Sequence, residues 1–225
     1  MGRGDRSGVR TWVPARSRGR CRVSARRGGL VLAGGAARRM GGIDKLGFEL
    51  GGVTILDRVL GAAKPVADPL VVVGPRRPTT VRSVRFVHEA QPGGGPVPAV
   101  LAGLEQLRGA EVVLLLAGDL PLVATTDLVR LLAALAGDPG LQAAAAADHA
   151  GRPNPLLAAY RAPHLRAAVG ELSPGAPARR LLPQSVVTVD LGATATLNVN
   201  FRADLERAAS LLDQRGRPSV PVPGR

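Results

Sequence analysis

Along this chain, short runs of consecutive apolar residues alternate with longer stretches whose apolar positions recur every three or four residues. The short runs predict buried strands over 30–33, 69–73, 84–87, 112–116, 156–160 and 185–189. The run at 112–116, Val-Val-Leu-Leu-Leu, is the most hydrophobic. Helical spacing predicts helices over 53–63, 97–107, 125–136 and 202–212. The alanine-rich stretch 142–147 fits strand and helix equally, because alanine carries too little pattern to choose. Strands without polar alternation are buried on both faces, which requires helices on both sides of a parallel sheet. The fold class that follows is α/β: a single-domain, doubly wound, mostly parallel sheet of the Rossmann-like type. Ligands of such sheets sit beyond the carboxyl ends of the strands, so candidate chemistry is sought just after each predicted strand.

Composition sharpens this picture. The 225 residues are 45% hydrophobic but only 2% aromatic, an aliphatic core on the scale of one domain. The net charge of +13 would suggest a nucleic-acid binder, yet it is concentrated at the ends. Residues 1–28 hold nine arginines against the single acid Asp5, and Arg215, Arg217 and Arg225 follow residue 213. The division expected is a basic, unstructured leader over 1–28, a nearly neutral folded domain over 29–213, and a flexible tail over 214–225. Nucleic acid is therefore not the expected partner. Cys21 is the only cysteine, so neither a disulfide framework nor a thiolate metal site is possible. Arg26-Arg27 ahead of the apolar run 29–37 imitates an export signal, but Arg38-Arg39 break the run at once. No stretch reaches the roughly 18 apolar residues of a membrane span. A cytoplasmic protein with no membrane partner is expected.

Two segments after predicted strands carry candidate chemistry. The first runs Leu32-Ala33-Gly34-Gly35-Ala36-Ala37-Arg38-Arg39-Met40-Gly41-Gly42-Ile43-Asp44-Lys45. Gly34 and Gly35 allow close backbone approach to a ligand, and Arg39 and Lys45 supply positive charge for phosphate oxygens. It is neither a P-loop nor a dinucleotide fingerprint. Lys45 and Lys64 are the only lysines in an arginine-rich chain, which singles out Lys45 as a required ammonium. The second is Ala117-Gly118-Asp119-Leu120-Pro121, where a carboxylate leaves the end of the most hydrophobic strand. Asp119 suits one protein ligand of Mg2+; by itself it would serve equally as a turn or capping aspartate.

The run Leu-Ala-Gly-Gly-x-x-x-Arg-Met-Gly-x-x-Asp-Lys resembles the signature loop of the molybdenum cofactor guanylyltransferases and their MobA-like relatives, and the likeness extends over about residues 29–212. The resemblance implies that Leu32, Ala33 and Gly34 meet the base, and that Arg39 and Lys45 meet the triphosphate. It further implies that Asp119 binds the catalytic Mg2+. Glu89 stands where the family often has an aspartate on the nucleotide. The family's Asn-x-Arg after the second strand is replaced by Gly74-Pro75-Arg76. On the acceptor side, Leu197-Asn198-Val199-Asn200 is similar to the family's Asn-Val-Asn-Thr-Pro, with Phe201 and Arg202 replacing Thr-Pro. Asn154 and Pro155 match a segment facing the acceptor; turn or capping amides are the competing reading for the asparagines.

The activity implied is transfer of GMP from GTP to the phosphate of molybdopterin with release of pyrophosphate. Lys45, Arg39 and Asp119 would be the catalytic groups, and transient contact with other molybdenum cofactor proteins is implied. The alternatives are a cytidylyltransferase or another NTP transferase with a different small phosphorylated acceptor, or a non-catalytic nucleotide-binding module.

Overall fold

The structure is a computed structural model that describes residues 10–11, 25–34, 44–90 and 93–216. An eight-stranded sheet forms its centre. Strands β1 (Arg10–Thr11), β2 (Arg27–Leu32), β5 (Leu70–Val73), β6 (Val84–Val87), β7 (Val112–Ala117), β8 (Ala143–Ala147), β9 (Pro153–Arg161) and β10 (Val186–Val189) lie in the order β1-β10-β8-β9-β7-β2-β5-β6. Only β9 runs antiparallel to its neighbours. A small hairpin of β3 (Glu49–Leu50) and β4 (Val53–Thr54) stands apart.

Helices cover both faces, as uninterrupted apolar strands demand. The helices α1 (Ile55–Ala63), α3 (Thr125–Gly137) and α5 (Arg202–Gly216) pack on one face, and α2 (Pro96–Glu105) and α4 (Ala162–Glu171) on the other. Alternation along β7 feeds both cores: Leu114 and Leu116 enter the first, Val113 and Leu115 the second. Helix α1 starts where the Thr54 hydroxyl accepts the Asp57 N–H at 3.1 Å, and α2 where Pro96 presets the first turn after Gly95 at φ 83°. Gly103 lets α2 press on the sheet, since a Cβ there would stand 2.1 Å from a Leu30 methyl. No described helix is long and apolar enough to cross a membrane.

The expected fold class stands, with corrections. Residues 53 and 54 pair with 50 and 49 as strand rather than opening the helix, so α1 begins at Ile55. The undecided alanine stretch becomes strand β8 through its pairing with β9 and β10. Helix α4 was not foreseen, because its first turn, Ala-Pro-His, breaks the apolar spacing. Residues 27 and 28, assigned to the leader, belong to β2, and Arg10–Thr11 pair with β10 at the sheet edge. The last helix also runs to Gly216, past the boundary expected at 213. Arg26 of the expected leader is also tied to the domain, its carbonyl accepting the Glu111 N–H at 2.8 Å; residues 1–9, 12–24 and 217–225 lie outside the described residues.

Candidate active site

The strand order reverses around β2, which has β5 on one side and β7 on the other. This reversal opens a crevice at the carboxyl ends of β2 and β7. Their register sets Leu32 opposite Ala117, and the Gly118 N–H donates to the Leu32 carbonyl at 2.9 Å. Ala33-Gly34 and Asp119 therefore emerge side by side. Gly118 eases this approach, since a Cβ there would crowd the Leu32 carbonyl oxygen at 3.0 Å and a Leu46 methyl at 3.1 Å.

Lys45 opens a short 3-10 turn, Lys45–Gly47, anchored by buried Leu46 and begun by Asp44, whose side chain accepts the Leu46 N–H. From it the ammonium reaches across the crevice. Lys45 Nζ lies 2.6 Å from Asp119 Oδ2 and donates to the Val199 carbonyl at 2.9 Å and to Asn200 Oδ1 at 3.1 Å. Asn198 Nδ2 donates to Asp119 Oδ1 at 3.4 Å, and the Val199 N–H donates to the Asp119 carbonyl at 2.9 Å. Residues 74 and 155 positions from Lys45 in the chain thus meet in one partly buried centre. Among the described residues no group of three or more His, Cys, Asp or Glu forms a metal cluster. The oxygens of Asp119, Asn200 and Val199 are nonetheless the hard donors that suit Mg2+, which takes one or two carboxylates and fills its octahedron from phosphates and water.

Asn198 and Asn200 are not capping amides. Capping of α5 falls to Asp204, whose Oδ2 accepts the N–H groups of Asn200 and Phe201 at 2.8 Å each. That frees both amide side chains to face the centre. Both also line a cleft of about 710 Å³, together with Asn154, Thr188, Asp190 and Asp148. Pro155 is not among the residues lining it; its carbonyl accepts the hydroxyl of buried Tyr160 at 2.9 Å. Glu89 is held in a local turn, accepting the Gly93 N–H at 3.0 Å. Gly35 and Arg39 lie outside the described residues.

One basic residue escaped the sequence reading. Arg77 donates to both Asp44 oxygens, at 2.6 and 3.0 Å, and to the carbonyls of Ala33 and Pro75 at 3.1 Å each. A single guanidinium thereby ties together the two ends of the glycine-rich loop. Hydrogen bonding from Arg77 is the main reason the Asp44 carboxyl is held below its ordinary range, against the opposing effect of partial burial. Gly74 makes the approach possible, because at φ 142° its Cβ would stand 2.6 Å from the backbone of Ala33 and Gly34. The signal in the sequence was Asp44 itself, an acid beside Lys45 that required a partner.

Comparison with known proteins agrees with this geometry. The profile of the family described as "MobA-like NTP transferase domain" matches residues 29–189. The chain is 32% identical over 198 residues to the molybdenum cofactor guanylyltransferase of Cereibacter sphaeroides, covering 82% of this chain and 96% of that protein. It is 37% identical over 139 residues to the enzyme of that name from Mesorhizobium japonicum, covering 59% of this chain and 65% of that one. In several relatives the match spans only 58% to 65% of the protein's length. Among solved structures, the molybdopterin-guanine dinucleotide biosynthesis protein A of Archaeoglobus fulgidus shares the fold, with a TM-score of 0.62 and 23% identity over 84% of this chain and 99% of that one. The 2-C-methyl-D-erythritol 4-phosphate cytidylyltransferase of Thermus thermophilus shares it too, with a TM-score of 0.58 and 21% identity over 83% of this chain and 98% of that one. A strand-reversal crevice holding Lys45 against Asp119, on a chain matched by the family profile over most of its length, leads to one assignment: the protein belongs to the MobA-like NTP transferase domain family.

Proposed function

We propose that this protein transfers GMP from GTP to the phosphate of molybdopterin and releases pyrophosphate. The observation that carries the reading is the contact of Lys45 with Asp119 at the strand reversal, continuous through Asn198 and Asn200 with a second cleft. One side is suited to a triphosphate and the other to an acceptor. The names of the relatives favour a guanylyl donor and the molybdenum cofactor as acceptor.

In the proposed reaction an oxygen of the acceptor phosphate attacks the α-phosphorus of GTP. The bond from that phosphorus to the oxygen bridging to the β-phosphate breaks, and pyrophosphate leaves with the electron pair. The attacking phosphate is already ionised near neutral pH, so the chain needs no general base. Leu32, Ala33, Gly34 and Gly35 would present backbone to the base and phosphates, and Arg39 and Lys45 would neutralise phosphate oxygens. Asp119 would hold Mg2+, which when bound neutralises charge on the triphosphate. Asn154, Asn198 and Asn200 would orient the acceptor so that its phosphate lies in line. Pro155 would act through its place in strand β9, where its carbonyl holds the Tyr160 hydroxyl, and Glu89 through the local turn that it closes onto Gly93. In this reading residues 27–216 form the catalytic domain, and the protein works in the cytoplasm beside other molybdenum cofactor proteins.

Pyrophosphate release from purified protein with molybdopterin, Mg2+ and either GTP or CTP tests the proposal. Release that requires the acceptor and is faster with GTP supports it. Faster release with CTP makes the protein a cytidylyltransferase of the same fold. Absence of release with both nucleotides overturns the enzyme reading.

A further inference from the structure

We propose that Thr188 is an acceptor-recognition residue whose hydroxyl hydrogen-bonds the heterocycle of the acceptor at the floor of the 710 Å³ cleft. This rests on the acceptor reading of that cleft given above.

Thr188 is only 4% exposed, yet its Oγ1 has no hydrogen-bond partner among the described residues. It is the one side-chain polar atom there that is buried and unsatisfied. Buried hydroxyls normally find partners, because leaving one unpaired forfeits the water it had in the unfolded chain. The rest of strand β10 is valine: Val186, Val187 and Val189. Valine has nearly the same shape as threonine and equal fitness for a strand, so strand propensity does not explain the hydroxyl.

Its direction does. Val187 and Val189 enter the core beneath α1, α3 and α5, so the alternation of the strand turns Thr188 to the opposite face. Its neighbour in register on β8 is Ala145, in a strand made entirely of alanine. Methyl groups alone leave a hollow, and Thr188, Ala147 and Asn154 are among the residues that line it. The volume lies within the range of small-molecule sites. A hydroxyl both donates and accepts, and so do carboxamides. Thr188 with Asn154, Asn198 and Asn200 therefore suits a flat heterocycle whose edge carries ring N–H groups beside carbonyl or ring-nitrogen acceptors. Asn200 also touches Lys45, so an acceptor reaching from Thr188 past Asn200 would place its phosphate near the reacting centre.

The test compares Thr188→Val and Thr188→Ser with wild type, using molybdopterin as acceptor at saturating GTP. Loss of one neutral hydrogen bond corresponds to about a five- to tenfold weaker complex. Thr188→Val should raise the acceptor KM by about that factor, leaving kcat and the GTP KM within about twofold, the signature of lost uniform binding. Thr188→Ser should keep the acceptor KM close to wild type. The urea midpoint of Thr188→Val should not fall, since no internal hydrogen bond is broken. An unchanged acceptor KM in Thr188→Val overturns the proposal. An equal rise in both variants overturns it too, showing that shape and not the hydroxyl matters, and so does a lower urea midpoint, showing an internal partner. If wild type turns over no molybdopterin with GTP, the acceptor reading fails and this inference falls with it.

Discussion

Lys45 lies inside a cage of oxygens from Asp119, Val199 and Asn200. An ammonium surrounded by those donors occupies the place where a hard divalent cation would sit, and the two cannot share it. Metal should therefore bind poorly until a triphosphate draws the ammonium away. Replacing Lys45 by Met keeps the aliphatic stem and removes the charge. Mn2+ should then bind without nucleotide about tenfold more tightly than in wild type, the worth of one charge-assisted hydrogen bond. Turnover should fall by roughly 3–4 kcal/mol of barrier, as when a transition-state charge partner is lost. Titration of Mn2+ by electron paramagnetic resonance reads the first effect. Equal Mn2+ affinity in the two proteins would mean that Lys45 does not guard the site. The sequence marked Lys45 and Asp119 separately, by scarcity and by position after a strand. It could not show their contact, because spacing along a chain carries no distance between residues 74 positions apart.

Among the elements, the loop between β2 and the 3-10 turn matters most, and Arg77 is what closes it. Replacing Arg77 by Leu should weaken GTP binding about tenfold, by untying Asp44 from Ala33, with a smaller effect on the urea midpoint because the pair is partly exposed. The sign of the pH dependence follows from Asp44. Its carboxyl is held below the ordinary value, so the ion pair is complete above that value and is lost as pH falls through the lowered one. The ratio of GTP dissociation constants between variant and wild type should stay flat from about pH 6 to 8 and close only below about pH 4. A ratio that changes between pH 6 and 8 would contradict this assignment. Legibility differed among elements for physical reasons. Strand β7 was plain because aliphatic residues at 112–116 leave no polar face, whereas β8 was ambiguous because its strand character comes from neighbours. The hairpin β3–β4 was invisible, since two-residue strands hold too few positions for a period. Arg77 was hidden among Arg76, Arg82 and Arg85, and only the folded loop separates it from them.

At the scale of the molecule, the sheet does the arranging. Its reversal at β2 brings the glycine-rich segment, Asp119 and the Asn198–Asn200 strip to one end, with aliphatic cores on both faces holding the strand ends in register. That end was legible in advance, because open α/β sheets bind ligands at the carboxyl ends of their strands. The 710 Å³ cleft was legible only in its asparagines; Ala147 of the alanine strand and Thr188 also line it, which only the packing of β8 against β10 reveals. The most direct measurement uses GTP labelled at the α-phosphorus, with molybdopterin and Mg2+, and follows the label into the acceptor for wild type, Lys45→Met and Asp119→Asn. The expected result is acceptor labelling by wild type, reduced about a hundredfold or more in each variant although both remain folded. Labelling by both variants at the wild-type rate would contradict a reaction centred on Lys45 and Asp119.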